Sequence, residues 1–314
     1  MVQRMVVALD GSALAEHALP HARAVARAFG SEIVLVRVMG SAPRRDGMVD
    51  SLHWRLGEAD AKVYLDRTVE SLQNEGFNAR GILVAGRAAE QILQTVRRES
   101  ADLIVITTHG EGGLSPHPIS GTAYKVVCGA PGSVLLVRVS ATPVRCYDRI
   151  LVPVDCSKRS EWALRLATAV ARANQAELVA ANVLVLPALL EGATLPGDHA
   201  DACQELLRAN RRAAETFFAD LPTKLSATDL KVRTRIIEGT HAGYALTQLL
   251  EDEQPGLVIM SAHGALTTQE WTFGSVVRDL LISAPTSLLI FQDAPRAAGR
   301  PELVGAGAAA TPVA

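Results

Sequence analysis

The sequence predicts an α/β protein made of two tandem, doubly wound, parallel five-stranded sheets, and two observations carry the prediction. The chain repeats itself: Met5-Val6-Val7-Ala8-Leu9-Asp10-Gly11-Ser12 matches Ile150-Leu151-Val152-Pro153-Val154-Asp155-Cys156-Ser157, and Asp102–Gly110 matches Gly256–Gly264. Within each copy, short and nearly continuous apolar runs alternate with stretches of helical periodicity. Such runs fit strands covered by helices on both faces of a parallel sheet.

Taken in order, Met5–Leu9 reads as the first strand, and Leu14, Ala18, Ala22, Val25 and Phe29 form the apolar stripe of the helix that follows. Pro20 falls inside that stripe and should kink the helix or shift its start. Ile33–Val38 is the next strand, the apolar run within Asp102–Gly110 the fourth, and the Pro-led run Pro131–Val139 the last. The second copy repeats the plan with Ile150–Val154, a stripe of Trp162, Leu166 and Val170, then Leu178–Val183, Leu257–Met260 and Pro285–Phe291. The offset between copies is 145 at the aspartates and 153 at Gly86 and Gly239. The eight extra residues are expected to lengthen the Leu186–Asp201 loop. Domains are expected at 1–143 and 144–293. Ala141-Thr142-Pro143 reads as their linker, and the Ala/Gly/Pro-rich tail 294–314 is expected to be disordered.

The chain has 314 residues, 31 Lys+Arg against 33 Asp+Glu, and a formal net charge of -2. That balance gives no global attraction to nucleic acid or to an anionic membrane, so any binding depends on a local site. No apolar run reaches the ~18 residues that span a bilayer. The N-terminus lacks a secretory pattern. Cys128, Cys146, Cys156 and Cys203 stand far apart, without the spacing of a disulfide framework or a thiolate metal site. A cytoplasmic location is expected. His17 and His21 lie four apart on one helix, but no third metal ligand is evident near them.

In an open α/β sheet the ligand crevice lies beyond the carboxyl ends of the strands. Two repeated features fall there. One is Asp10 or Asp155 at the tip of the first strand, with a serine two residues later. The other is the fourth-strand exit, His109-Gly110 or His263-Gly264, followed by a loop and then Gly121-Thr122 or Gly274-Ser275 at a helix start. A hydroxyl residue beside glycine at a helix N-terminus offers free amides and the positive dipole end to a phosphate. An aspartate across the crevice can accept from a ribose hydroxyl or an adenine amine. The same residues also read as plain helix caps and turn-fixing histidines. There is no P-loop, no dinucleotide fingerprint after the first strand and no nucleophile elbow.

These residues resemble the universal stress proteins, in two copies covering about 1–293. The family's nucleotide-binding members carry G-x-x-G, nine residues, then G-[ST] after the fourth strand. The second copy has Ser261-Ala262-His263-Gly264, the nine residues Ala265–Phe273, and Gly274-Ser275. The first has Thr107-Thr108-His109-Gly110, the ten residues Glu111–Ser120, and Gly121-Thr122. The resemblance implies a fold like that of the adenine nucleotide alpha hydrolases, Rossmann-like in its winding. It implies an adenine-nucleotide pocket in which Asp155 meets the adenosine, the backbone at Val183 and Met260 contacts base or ribose, and Gly264, Gly274, Ser275 and Val276 hold the phosphates, with His263 beside them. The corresponding positions of the first copy are Asp10, Val38, Ile106, His109, Gly110, Gly121, Thr122 and Ala123. Neither loop carries Lys or Arg, and Glu111 and Glu270 add negative charge, so backbone amides and a magnesium ion are expected to hold the phosphates. Lys125 and Arg278 stand four residues after Gly121 and Gly274.

The resemblance also implies pairing through the last strands, here within one polypeptide as a pseudo-dimer, with further homodimerisation open. The leading expectation is a stress-response module that binds ATP and signals its occupancy to a protein partner, at most a slow ATPase. The alternative is a nucleotide-free dimeric scaffold for a protein partner, which Thr107, Ser261 and the acidic loops favour.

Overall fold

The computed structural model describes residues 2–40, 44–45, 48–49, 51–114, 117–139, 147–185, 197–225, 229–264 and 273–292. The first half runs β1 (Arg4–Leu9), α1 (Ala13–Glu16), α2 (Ala18–Phe29), β2 (Glu32–Met39), a two-stranded ladder β3 (Arg44–Arg45) and β4 (Met48–Val49), α3 (Ser51–Asn74), β5 (Ala79–Ala85), α4 (Ala88–Arg98), β6 (Leu103–Thr107), α5 (Gly121–Gly129) and β7 (Ser133–Val137). The second runs β8 (Arg149–Pro153), α6 (Lys158–Asn174), β9 (Glu177–Val185), α7 (Gly197–Ala219), α8 (Leu221–Leu225), β10 (Val232–Gly239), α9 (Ala242–Glu253), β11 (Leu257–Ser261), α10 (Ser275–Ser283) and β12 (Ser287–Phe291).

Pro20 acts on the start of its helix: α1 stops at His17 and α2 begins at Ala18, which leaves the proline in the first turn, where its missing N–H is not needed. The extra residues of the second half lie elsewhere than expected. Eleven residues separate β2 from α3 and also β9 from α7, whereas four separate α3 from β5 and twelve separate α7 from β10. The insertion therefore includes the short helix α8, not the 186–201 segment. The linker 140–146 and the tail 293–314 lie outside the described residues.

The main strands form one ten-stranded sheet in the order β10-β9-β8-β11-β12-β7-β6-β1-β2-β5. Each half is a parallel five-stranded sheet whose first strand changes the winding direction between its second and fourth strands, so the crevice lies at that point. The halves join through the antiparallel pair β12–β7, in register Leu288↔Leu136, Leu289↔Leu135 and Ile290↔Val134. Two reciprocal bonds flank the seam: Arg138 N donates to Ser287 Oγ at 3.1 Å and Gln292 N to Ser133 Oγ at 3.2 Å. The pairing expected within one chain is present, and each half covers the other's edge strand.

Alternation along the strands splits the core into two faces. Met5, Val7 and Leu9 face one, where α2 packs on β1, while Val6 and Ala8 face the other, where α4 packs on it. Across the first face α2 packs against α6, and both helices bury small residues there, Ala18, Ala22 and Ala26 in one and Ala163, Ala167 and Ala171 in the other. His21, on α2, is 3% exposed and reaches the other half, with Nδ1 2.6 Å from the hydroxyl of Tyr147. Asn174 Nδ2 donates to Ala24 O across the α2–α6 contact. Trp162 departs from the predicted stripe. It is 56% exposed, with Arg165 stacked on its ring, whereas Leu166 and Val170 are buried.

Arg138 marks the seam on the other face. Its Nη1 donates to Pro118 O at 2.7 Å in the first half, and its Nη2 to Leu281 O and to Leu280 O at the end of α10 in the second. A cation at a helix C-terminus complements the dipole, although burial pushes the guanidinium pKa down. Replacing Arg138 with Met keeps the stem and removes these donors. It is expected to lower the unfolding free energy by about 2 kcal/mol, read from urea melts; a change within ~0.5 kcal/mol would show that water replaces the bonds.

Candidate nucleotide crevices

Both aspartates stand where β1 and β8 end and an adjoining turn starts a helix. The turn needs a left-handed residue. The first copy uses Gly11 at φ 90°, and the second places Cys156 there at φ 60°. Burial, then the neighbouring Asp155 charge, pushes the Cys156 thiol pKa up, which makes it a packed thiol and not a thiolate.

Gly110 and Gly264 bring the fourth-strand exit against these carboxylates. A Cβ on Gly110 would lie 2.0 Å from Asp10 Oδ2, and one on Gly264 2.9 Å from Asp155 Oδ2. The Asp10 carboxylate, held by its hydrogen bonds, leaves no room for a side chain at Gly110, whereas at Gly264 the nearest atom is the end of the exposed Asp155 side chain. Thr107 and Ser261, which stand where the family pattern has its first glycine, each turn a hydroxyl back onto the loop. Thr107 Oγ1 donates to His109 O at 2.7 Å and Ser261 Oγ to His263 O at 2.9 Å. His109 is buried, its Nδ1 3.1 Å from Thr108 Oγ1 and its Nε2 3.0 Å from His117 O, which fits the turn-fixing role.

The copies differ in how their helices are capped, and the polar contacts of the first are as follows. Asp10 Oδ1 accepts from Ser12 N at 2.9 Å and Ser12 Oγ at 2.6 Å, and Oδ2 accepts from Glu111 N at 2.6 Å. Burial alone would raise this carboxyl's pKa, but the Ser12 and Glu111 donors outweigh it and hold the value below normal. The helix of that crevice is self-capped as well, since Ser120 Oγ accepts from Ala123 N. In the second copy Asp155 is exposed and accepts from Ser157 N at 3.1 Å, and α10 has Gly274 as N-cap with no side-chain cap. Asp10→Ala is therefore expected to lower stability by about 1–3 kcal/mol, because it strands the Glu111 and Ser12 amides. The measurement is a urea midpoint compared with wild type, and an unchanged midpoint would refute the closed arrangement.

The structure also moves the match between copies by one residue. Ser120 N donates to Thr108 O at 2.8 Å just as Gly274 N donates to Ala262 O at 2.9 Å, and both residues are N-caps. The equivalent of Gly274-Ser275 is thus Ser120-Gly121, one residue before Gly121-Thr122, and both loops have nine residues. Thr122 and Ala123 lie inside the first turn of α5, and Lys125 matches Asp279, not Arg278. Val38, Ile106, Val183 and Met260 all lie near the carboxyl ends of β2, β6, β9 and β11, and Val276 is the second residue of α10. Residues 265–272, with Glu270 and Trp271, lie outside the described residues.

Two cations missed in the sequence reach the crevices. Arg37, on β2, lies beside the first-copy turn: a Cβ on Gly11 would stand 2.8 Å from its Nη2, and the guanidinium stacks on Tyr64. Arg159, on α6, donates from Nη1 to Gly264 O at 3.1 Å. A model of the universal stress protein family matches residues 1–138 and 147–292. The chain belongs to that family. The repeated match agrees with the two wound halves, and the tandem arrangement forms a pseudo-dimer in one chain.

A curated universal stress protein from Thermus aquaticus, named for its place in the QAH/OAS sulfhydrylase 3' region, is 35% identical over 144 residues, all of its length and 44% of this chain. Among solved structures, a Pseudomonas aeruginosa protein described as a putative universal stress protein covers 93% of this chain and 93% of its own, with TM-score 0.66 and 16% identity. A universal stress protein from Archaeoglobus fulgidus covers 93% of this chain and 98% of its own, with TM-score 0.63 and 18% identity. These two show the shared fold. Among the described residues of this universal stress protein, no helix is long and apolar enough to cross a membrane, and no cluster of His, Cys, Asp or Glu forms a metal centre.

Proposed function

We propose that this universal stress protein binds one adenine nucleotide, ATP with magnesium, in the crevice of its second half, and acts by presenting that occupancy to a protein partner in the cytoplasm. The carrying observation is the difference between the two helix starts. In the first, Ser120 caps α5 with its own side chain, Oγ accepting from Ala123 N. In the second, the N-cap of α10 is Gly274, which has no side chain to place there. Asp155, Val183, Met260, Gly264, Gly274, Ser275 and Val276 form the contact set. Backbone amides at the start of α10 supply donors to the phosphates, and magnesium, when bound, neutralises their charge. His263 stands at the fourth-strand exit, and a slow ATPase lost in His263→Ala would give it a role in hydrolysis.

Native mass spectra before and after Mg-ATP test the reading. One nucleotide per chain is expected, and Gly274→Val, which puts a branched side chain at the phosphate end, is expected to weaken binding at least tenfold. Equal affinity in wild type and Gly274→Val would overturn it. The closed first crevice favours a second reading for that half alone: it serves as a nucleotide-free scaffold. Two nucleotides per chain would remove that reading.

A further inference from the structure

We propose that Arg159 is the residue that makes the second crevice select nucleotides by phosphate charge, so that it prefers ATP to adenosine; this rests on the reading that the second half binds adenine nucleotide. Arg159 is the second residue of α6, whose N-cap is Ser157. A helix N-terminus carries positive partial charge and favours anions, so a cation there brings no local stabilisation to the helix. The side chain instead crosses to the opposite wall, where Nη1 meets Gly264 O at 3.1 Å, 105 residues away in sequence. Gly264 is also where the Asp155 carboxylate closes on the fourth-strand exit, with Oδ2 2.9 Å from the place a Cβ would take.

Arg159 thus brings its guanidinium to Gly264, one of the residues assigned to the phosphates. The corresponding residue of the first copy, four after its aspartate, is Leu14. The guanidinium that does approach the first turn, Arg37, comes from β2 and stacks on Tyr64 of α3. The guanidinium that meets Gly264 therefore has no counterpart at position 14 of the first half. A planar guanidinium binds phosphate oxygens with two parallel N–H donors, which a leucine cannot replace.

Calorimetric titration of the full chain with adenosine, AMP and Mg-ATP tests this, comparing wild type, Arg159→Leu and Arg159→Lys. Arg159→Leu is expected to raise the Kd for Mg-ATP roughly tenfold, the size of one charge-assisted hydrogen bond, and to leave adenosine unchanged. Arg159→Lys should recover part of the loss, and the wild-type preference for ATP should shrink as salt rises. An equal loss for adenosine and ATP would assign Arg159 to shaping the Gly264 loop and overturn the proposal. An unchanged Mg-ATP Kd in Arg159→Leu would also overturn it, while leaving nucleotide binding itself intact. If wild type bound none of the three ligands, the nucleotide reading would fall first and this proposal with it.

Discussion

Acidification from pH 7 to pH 4 is expected to cost the folded chain about 3 kcal/mol through His21 alone. The imidazole is 3% exposed beside Tyr147, and burial, then the neighbouring His17, lowers its pKa from 6.5 to about 4. The unfolded chain takes up the proton near pH 6.5, while the folded chain resists until about pH 4. The stabilisation is fully present above the unfolded value and is lost as pH falls through that window. Tyr147 Oη, 2.6 Å from Nδ1, sits in an apolar setting that raises the phenol's own pKa, so it offers no negative charge to an imidazolium. Urea melts at pH 7 and 4.5 on wild type and His21→Leu separate this group from the carboxylates that titrate nearby. The variant should lose about 2–3 kcal/mol less than wild type over that interval. Equal losses would mean that the histidine is already charged in the native state.

Glu253→Ala is expected to lower stability by a further large amount, about 2–3 kcal/mol, with no effect on either crevice. This carboxylate closes the amino-terminal edge of the second sheet. Arg233 Nη2 lies 2.5 Å from one oxygen, Arg235 Nη2 2.8 Å from the other, and Arg149 Nη1 3.4 Å away, while the Glu253 side chain is only 5% exposed. Burial by itself would raise its pKa, and Arg233 and Arg235 overcome this and keep it low. Beside it Glu177 is held down to about 2 by Lys231 and Arg149, with Arg233 adding to the field. Removing one partner of such a buried set costs about 3–5 kcal/mol when the remaining charges are sealed off. The arginine side chains here are 33–49% exposed and recover part of that from water, which sets the lower figure. A urea midpoint displaced by less than ~1 kcal/mol would show the network to be solvent-compensated.

The strands were largely legible because each is buried on both faces and leaves a continuous apolar run; Ile33–Val38 and Pro285–Phe291 differ from the observed β2 and β12 by one or two residues at their ends. Trp162 misled because helical periodicity does not report that Arg165 stacks on the ring at the surface. The one-residue shift at Ser120 has a similar cause. Glycine-hydroxyl pairs are visible letters, whereas the amide that meets Thr108 O is identified only by geometry. Arg159, Arg37 and Arg138 were invisible as crevice or seam residues because each acts on a segment far away in sequence. Of the three only Arg159 left a trace, a cation in the first turn of a helix where the dipole disfavours it.

The antiparallel β12–β7 seam has a consequence for how the halves can differ. In an assembly of two identical subunits every substitution is made twice, and any contact near the axis must suit its own two-fold-related position. Fusion into one polypeptide removes that duplication and keeps the halves together at any dilution. Arg138 can thus lie where its counterpart is Gln292, reaching Leu281 O once and not twice. One continuous sheet, with a single copy of each strand, permits two crevices of unequal chemistry.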